Sequence, residues 1–169
     1  MKGGNAMLLD LSGVFAGSES LPFEYQLDLS ELDFSGCSSL QKPVKIKGSA
    51  QNRAGVVFIE LVAEYVISAP CDRCAADIER KESLPLTYVV VQQIEGEDTE
   101  DFVIAEDFKV DLDPLVREDI IIRYPSKLLC SPDCKGLCPT CGKNLNYGDC
   151  GCSKEQTDPR LDALKAFFD

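Results

Sequence analysis

The 169-residue chain contains neither histidine nor tryptophan. Without an imidazole, a Ser–His–Asp triad, a Cys–His pair and a His-ligated catalytic zinc site are all excluded. No apolar run approaches the roughly 20 residues that are needed to span a bilayer. The hydrophobic fraction of 44% is that of a globular protein. Hydrolase functions therefore become unfavoured, and we expect a soluble protein with no membrane partner.

Positive charge is scarce, since 17 basic residues face 29 acidic ones and the net charge is −12. Such a balance is poor for wrapping a phosphate backbone. Residues 42–53 nevertheless carry four basic side chains and no acid, and residues 127–154 carry four lysines against two acids. Residues 93–119 hold eleven acids against two bases, a net charge of −9. We expect weak direct contact with RNA at most, attraction to a basic protein, and no small-molecule substrate.

Cysteine, by contrast, is abundant, with nine residues. Residues 1–11 show no secretory signal, so a cytoplasmic location is expected, where thiols remain reduced. An odd number of cysteines is also a poor basis for a disulfide framework. The cysteines therefore indicate metal binding.

The spacing of the cysteines predicts where metal is bound. Cys71 and Cys74 form a Cys-x-x-Cys turn, which is a weak signal alone. A stronger signal is the set of six cysteines within 23 residues of a segment rich in glycine, proline and lysine: Cys130, Cys134, Cys138, Cys141, Cys150 and Cys152. Structural zinc takes four soft ligands in a tetrahedron, so eight cysteines suffice for two ions. Cys37 lies apart and is interpreted as a small buried hydrophobe.

Two groupings of these ligands are open. In the first, one zinc is bound by Cys71, Cys74, Cys130 and Cys134, and a second zinc is bound by Cys138, Cys141, Cys150 and Cys152. In the second, a single zinc is bound by Cys71, Cys74 and two of the later six. Either way the four-thiolate site has no open position, so the metal would hold loops together without doing chemistry.

Two redox alternatives compete with zinc. Paired Cys-x-x-Cys motifs also bind iron, as in rubredoxin-like proteins, and the colour of the purified protein would distinguish the metals. A thiol-oxidoreductase role for Cys71 and Cys74 is less favoured, because the pair follows a strand and does not open a helix that would lower a thiol pKa.

Most of the chain carries the period-two pattern of β-strands. Apolar and polar residues alternate over 44–51, and 52–55 supplies turn residues. The run 56–69 is rich in β-branched and aromatic residues, which predicts a long hairpin. A third strand is expected over 78–92, where Pro85 indicates an edge position or a bulge.

Two helices have recognisable ends. Asp113 as the cap and Pro114 at the first position predict a helix near 114–123, which must end before Pro125 because the residue preceding a proline avoids the helical region. A second Asp-Pro pair predicts a C-terminal helix over 159–168, with an apolar stripe that docks on the body or on a partner.

The predicted fold class is α+β, with a mainly antiparallel β body, few short helices and a C-terminal cysteine-rich zinc-binding segment. We place the body in residues 1–127, including shorter strands at 23–29 and within 102–110. Residues 128–169 form the zinc segment and the C-terminal helix.

Eight short strings along the chain occur in the order found in one protein family. They are Met-Leu-Leu-Asp-Leu-Ser at 7–12, Phe-Glu-Tyr-Gln-Leu-Asp-Leu at 23–29, Pro-Val-Lys-Ile-Lys-Gly at 43–48, Cys-Asp-Arg-Cys at 71–74, Asp-Leu-Asp-Pro-Leu-Val-Arg-Glu at 111–118, Cys-Lys-Gly-Leu-Cys-Pro at 134–139 with Cys-Gly at 141–142, Asn-Leu-Asn at 144–146 and Asp-Pro-Arg-Leu at 158–161. The chain resembles the YceD-like family from about residue 7 to its end.

The resemblance implies a non-enzymatic protein that is needed for normal levels of large-subunit ribosomal RNA. Members are often encoded beside a zinc-ribbon ribosomal protein of that subunit. The expected partner is therefore a ribosomal protein or a pre-ribosomal particle. The alternative is that the chain is itself a direct RNA-binding zinc-ribbon module.

Overall fold

The computed structural model describes residues 7–17, 20–32, 34, 40–93 and 102–152. The strands are β1 (Leu8–Asp10), β2 (Leu21–Leu27), β3 (Val44–Arg53), β4 (Val56–Pro70), β5 (Asp77–Val91), β6 (Val103–Ile104) and β7 (Lys109–Asp111). The helices are α1 (Ser12–Phe15) and α2 (Leu112–Arg123), and a 3-10 turn covers Leu145–Tyr147. The predicted α+β class is confirmed.

Five strands form the main sheet in the order β2-β3-β4-β5-β6, and β1 pairs with β7 in a separate two-stranded ribbon. The pairings from β2 to β5 are antiparallel, as predicted. The short β6 instead pairs parallel to the end of β5, with Val90 opposite Val103 and Val91 opposite Ile104. Beside Pro85, no second strand adjoins β5 in the described part of the chain, which agrees with the expected edge position.

Alternation decides which face of the sheet is buried. From Val57 to Ile67, the side chains on one face of β4 are all buried: Val57, Ile59, Leu61, Ala63, Tyr65 and Ile67. The tight turn before them places Ala54 and Gly55 at positive φ, and the Asn52 side chain accepts a hydrogen bond from the Gly55 N–H at 2.9 Å. This turn sets Arg53 opposite Val56 and so fixes the hairpin register.

Gly48 lies in the middle of β3, where the backbone of β4 passes unusually close. A Cβ atom at this position would lie 2.5 Å from the Glu60 carbonyl oxygen and 2.6 Å from the Leu61 Cβ. A side chain there would push the two strands apart, so the absence of one permits the close approach.

The core lies between the inner face of the sheet, the β1–β7 ribbon and α2. Helix α2 contributes Leu112, Val116 and Ile120, which are fully buried at a spacing of four residues. Full burial of each such side chain contributes about 1.5–3 kcal/mol. This stripe docks the helix, and the chain that follows it is directed toward the end of the main sheet that carries the Cys71–Cys74 turn.

Helix α2 begins two residues earlier than predicted. Asp111, not Asp113, is the N-cap, and its side chain accepts a hydrogen bond from the Asp113 N–H at 3.1 Å. Pro114 is therefore in the first turn, where its missing N–H costs nothing because that group has no partner within the helix. The helix ends at Arg123, before the extended Tyr124, as Pro125 requires.

The turn between β4 and β5 carries the first Cys-x-x-Cys motif. The hairpin closes with Pro70 opposite Asp77, so residues 71–76 form its loop. The predicted helix at 159–168 and Cys37 lie outside the described residues, and the division of the chain at 127/128 stays a prediction.

Candidate metal centres

The eight cysteines other than Cys37 are free thiols that form two clusters. One cluster contains Cys71, Cys74, Cys130 and Cys134, and the other contains Cys138, Cys141, Cys150 and Cys152. Within each cluster the four sulfur atoms lie within 4.8 Å of one another. The structure thus brings together the residues of the first of the two groupings considered from sequence.

The first cluster joins the β4–β5 turn to the chain that follows α2. The Sγ atoms of Cys71 and Cys134 are 3.9 Å apart, and those of Cys74 and Cys130 are 3.6 Å apart. A zinc–thiolate bond of about 2.3 Å in a tetrahedron separates two sulfur atoms by about 3.8 Å. The observed separations therefore fit one tetrahedral metal ion.

Backbone hydrogen bonds shape the Cys71–Cys74 turn. The Cys71 N–H donates to the Ala76 carbonyl at 2.8 Å, and the Ala75 N–H donates back to the Cys71 carbonyl at 2.9 Å. Ala75 adopts a left-handed conformation with φ of 56°. The tight loop directs both thiols to the same side, which is the geometry that a shared metal requires.

The two residues between these cysteines attach the turn to the later segment. The Asp72 N–H donates to the Leu128 carbonyl at 2.9 Å, and the Leu128 N–H donates to the Asp72 carboxylate at 2.6 Å. The Arg73 guanidinium donates to the Cys134 carbonyl at 2.8 Å. The first cluster is thus held by protein contacts as well as by the placement of its thiols.

The thiols of the first cluster differ in acidity. Burial raises the pKa of Cys71, but backbone N–H groups of Arg73, Cys130 and Cys74 outweigh it and bring that pKa down to about 6. The pKa of Cys130 is raised to about 12, because its thiol is hydrogen-bonded to Cys134 and Cys74. The thiolate form of Cys130 is thus disfavoured by the neighbouring thiols, and a bound divalent cation would relieve this repulsion.

The second cluster is built within one short segment. The Cys138 N–H donates to the Lys143 carbonyl and the Gly142 N–H donates to the Cys138 carbonyl, both at 2.9 Å, forming a second tight turn. Backbone N–H groups of Cys141 and Thr140 lower the pKa of Cys138 to about 6. The thiols of Cys141 and Cys150 raise the pKa of Cys152 to about 12. The electrostatic pattern of the first cluster is repeated.

Both clusters could hold a metal ion, and their chemistry restricts which one. Four thiolates are soft ligands that suit zinc or iron, whereas magnesium and calcium prefer oxygen. Four protein ligands leave no position for a substrate or an activated water molecule. A metal bound in this way can therefore stabilise the fold. If that metal were iron, the site could also carry an electron.

Sequence reasoning missed three polar residues that support the first cluster, namely Asp72, Arg73 and Asn146. Asn146 donates a hydrogen bond to the Cys134 sulfur at 3.3 Å. The Asn-Leu-Asn string at 144–146 could have revealed Asn146, because two asparagines spaced two residues apart favour a turn that is capped by a side chain. Asp72 and Arg73 carried no sequence signal beyond their place inside the Cys-x-x-Cys motif.

The chain matches a family model described as large ribosomal RNA subunit accumulation protein YceD, over residues 59–168. That match covers well over half of the chain and includes all eight clustered cysteines. The chain belongs to the YceD family. No solved structure matches it significantly.

Three relatives resemble this chain over different shares of its length. The chain is 27% identical over 151 residues to the uncharacterised protein YlbN of Bacillus subtilis, covering 87% of each chain. It is 37% identical over 78 residues to the large ribosomal RNA subunit accumulation protein YCED homolog 1, chloroplastic, of Zea mays, covering 46% of this chain and 26% of the maize protein. An uncharacterised Mycobacterium tuberculosis protein is 30% identical over 110 residues, and the match covers 63% of this chain and 52% of that protein. Among the described helices, none is both long and apolar enough to cross a membrane.

Proposed function

We propose that this protein is a non-enzymatic ribosome-biogenesis factor of the cytoplasm, which supports the accumulation of large-subunit ribosomal RNA through a protein partner. Two zinc ions stabilise it, one in each cysteine cluster. The observation that carries the proposal is the family match over residues 59–168, which spans both clusters. The maize relative carries the same function in its name.

A structural role for the metal follows from the closed ligand sets. Each cluster supplies four thiols, and neither contains a histidine or a carboxylate that would mark a catalytic site. The first cluster also ties the β4–β5 turn to the segment after α2. Zinc there would replace the apolar contacts that this segment lacks. Iron is the competing occupant, and elemental analysis of the purified protein distinguishes the two.

The charges of β3 support a protein partner over direct RNA binding. Its basic side chains lie beside acids of neighbouring strands: Lys47 is 3.8 Å from Glu24, and Arg53 is 2.9 Å from Glu60. Lys45 stands opposite Glu64 in the strand register. These exposed cations are thus partly neutralised, whereas a phosphate-binding surface needs unopposed positive charge.

The described part of the acidic stretch 93–119 also supports a protein partner over direct RNA binding. Residues 102–119 carry six acids against two bases, and Glu106, Asp107 and Glu118 are exposed. A surface of this sign attracts a basic protein, such as many ribosomal proteins, and repels naked RNA.

Complementation tests the cellular function. A Bacillus subtilis strain lacking YlbN would receive the wild-type chain or a variant with both Cys74→Ser and Cys152→Ser, and the ratio of large- to small-subunit ribosomal RNA would be measured. We expect the wild type to raise that ratio and the variant to do so less. A ratio that is unchanged in the deletion strain and by the wild-type chain would argue against the proposed function.

Titration with naked large-subunit RNA fragments at physiological salt tests whether the protein binds RNA directly or needs a protein partner. We expect weak and unspecific binding, whereas pre-ribosomal particles retain the protein. A direct binder that neutralises several phosphates would lose roughly three to five decades of affinity between low and moderately high salt. Tight and sequence-selective binding that is abolished by Lys45→Glu with Lys47→Glu would establish the RNA-binding alternative instead.

A further inference from the structure

The loop of the second cluster folds back onto the first cluster. Cys134 and Cys138 belong to different clusters and are separated by three residues, of which Gly136 adopts a φ of +74°. The Gly136 carbonyl accepts a hydrogen bond from the Leu145 N–H at 2.9 Å, and Leu137 pairs with Asn144 in an antiparallel bridge. The 3-10 turn after Asn144 is thereby placed against the first cluster.

Asn146 is the residue of this turn that reaches the first cluster. Its side-chain N–H group donates to the Cys134 sulfur at 3.3 Å and to the Asn144 side-chain oxygen at 2.9 Å. Its own side-chain oxygen accepts from the Lys135 N–H at 2.8 Å. Both N–H groups and the oxygen of the amide are therefore engaged.

The orientation of the Asn146 amide is determined by its partners. The Lys135 N–H can only donate, so the amide oxygen must face it, and the amide nitrogen must then face the sulfur. A donor aimed at a sulfur stabilises the thiolate, which is the form that binds metal.

The position of Asn146 in the chain makes the contact significant. It lies between Cys141 and Cys150, the residues that bracket the loop of the second cluster. Ordering of that loop by a metal would hold Asn146 in place, although Asn146 is not itself a ligand of either site. Outer partners of metal ligands typically contribute 10- to 100-fold to metal affinity.

We infer that Asn146 is a positioning residue that couples the two metal sites, so that occupancy of the second cluster raises the affinity of the first. The inference rests on the proposed metal binding and adds to it a coupling between the two sites. By linkage the effect is reciprocal, so that metal in the first cluster also favours binding in the second. The hydrogen bond between Asn146 and Cys134 is thus the contact through which the loop of the second cluster strengthens the first site.

Cadmium-113 is a suitable probe, because each four-thiolate site gives its own NMR resonance. Loss of a resonance in Cys74→Ser or in Cys152→Ser assigns it to the first or the second cluster. Competition of each site with a chelator then gives two affinities for the whole chain. We expect Asn146→Ala to lower cadmium affinity at the first cluster by about 10- to 100-fold and to shift that resonance. In a Cys74→Ser background, which has no intact first site to couple to, Asn146→Ala should change the affinity of the second cluster by less than about threefold.

A second variant separates the hydrogen bond from loop folding. Asn146→Asp retains an oxygen that accepts from Lys135 but removes the donor and places a negative charge beside the sulfur. We expect it to weaken the first site more than Asn146→Ala does. If the loop's fold alone mattered, Asn146→Asp would resemble the wild type. Tyr147→Ala is the matched control, because this neighbouring side chain is 84% exposed and its loss should change neither site.

Coupling is measured by a double-mutant cycle. Disabling the second cluster with Cys150→Ser and Cys152→Ser should reduce first-site affinity in the wild type by a factor within the roughly 5- to 150-fold range of such couplings. In Asn146→Ala the same change should have little further effect. Equal losses in both backgrounds would show that the coupling does not pass through Asn146, and no loss in the wild type would overturn the coupling itself; both results leave the metal sites intact. A wild-type chain that binds no cadmium would instead overturn the metal proposal on which the inference rests.

Discussion

The β body and the cysteine-rich segment 128–152 are stabilised in different ways. The body buries a continuous set of valine, leucine and isoleucine side chains between its sheet and α2. In the segment, the buried side chains are those of Leu128, Cys134 and Cys138. Apolar burial can account for the first region but not for the second, which offers thiols, tight turns and side-chain caps instead. One chain thus combines a region that folds by exclusion of water with another whose thiol clusters could hold metal ions.

Of the changes considered, removal of bound metal should separate the stabilities of the two regions most. Structural zinc contributes roughly 10–16 kcal/mol in small zinc domains, so chelation should unfold residues 128–152 while the main sheet remains. Hydrogen exchange should show loss of protection in 128–152 and retention in β3 to β5. Reduced protein from the cytosol should contain about two zinc ions per chain before chelation. Protein that carries neither zinc nor iron would contradict the prediction.

The two clusters should differ in how far a defect spreads. Cys74→Ser removes a ligand from the cluster that contains residues of both regions, so protection should fall in 127–152 and in the turn at 71–76. Cys152→Ser affects the local cluster, and its effect should be confined to 137–152 apart from the smaller change transmitted through Asn146. If hydrogen exchange in 127–152 is unaffected by Cys74→Ser, the first cluster does not join the two regions.

A cavity introduced into the β body tests the region that is stabilised by apolar packing. Ile120 on α2 is fully buried, and Ile120→Ala should lower the free energy of unfolding by about 2–5 kcal/mol. Denaturation followed by far-UV circular dichroism measures this loss. Metal content should stay at the wild-type value, since Ile120 belongs to the core cluster and not to either thiol cluster. Loss of metal in the folded variant would show that the regions are not independent.

The smallest predicted effect concerns how α2 is held to the sheet. The Tyr88 hydroxyl donates a hydrogen bond to the Asp119 carboxylate at 2.7 Å. Tyr88→Phe should reduce the free energy of unfolding by about 0.5–1.5 kcal/mol. Tyr147→Phe is the matched control, because this exposed tyrosine lies outside the β body. Equal effects of the two substitutions in denaturation would exclude a specific contribution from the Tyr88 hydrogen bond.

Predictability also differed between the two regions. In the body, period-two alternation located the long hairpin and the third strand, and Pro125 located the end of α2. The start of α2 was placed two residues late, because Asp111 and Asp113 both precede proline at distances compatible with a cap. The parallel pairing of β6 with β5 could not be predicted, since two residues carry no periodicity. Residues 159–168 lie outside this comparison.

The sequence was sufficient to predict the strand faces, the end of α2, the turn at Cys71–Cys74 and the family. These follow from local chemistry: side-chain alternation, the restriction before proline, and the short spacing that brings two thiols together. Only the tertiary structure decided that the Cys71–Cys74 turn meets Cys130 and Cys134, over 50 residues away, and that Asn146 reaches the Cys134 sulfur. Contacts over such separations depend on strand register and on the docking of α2, which are properties of packing and not of any local pattern.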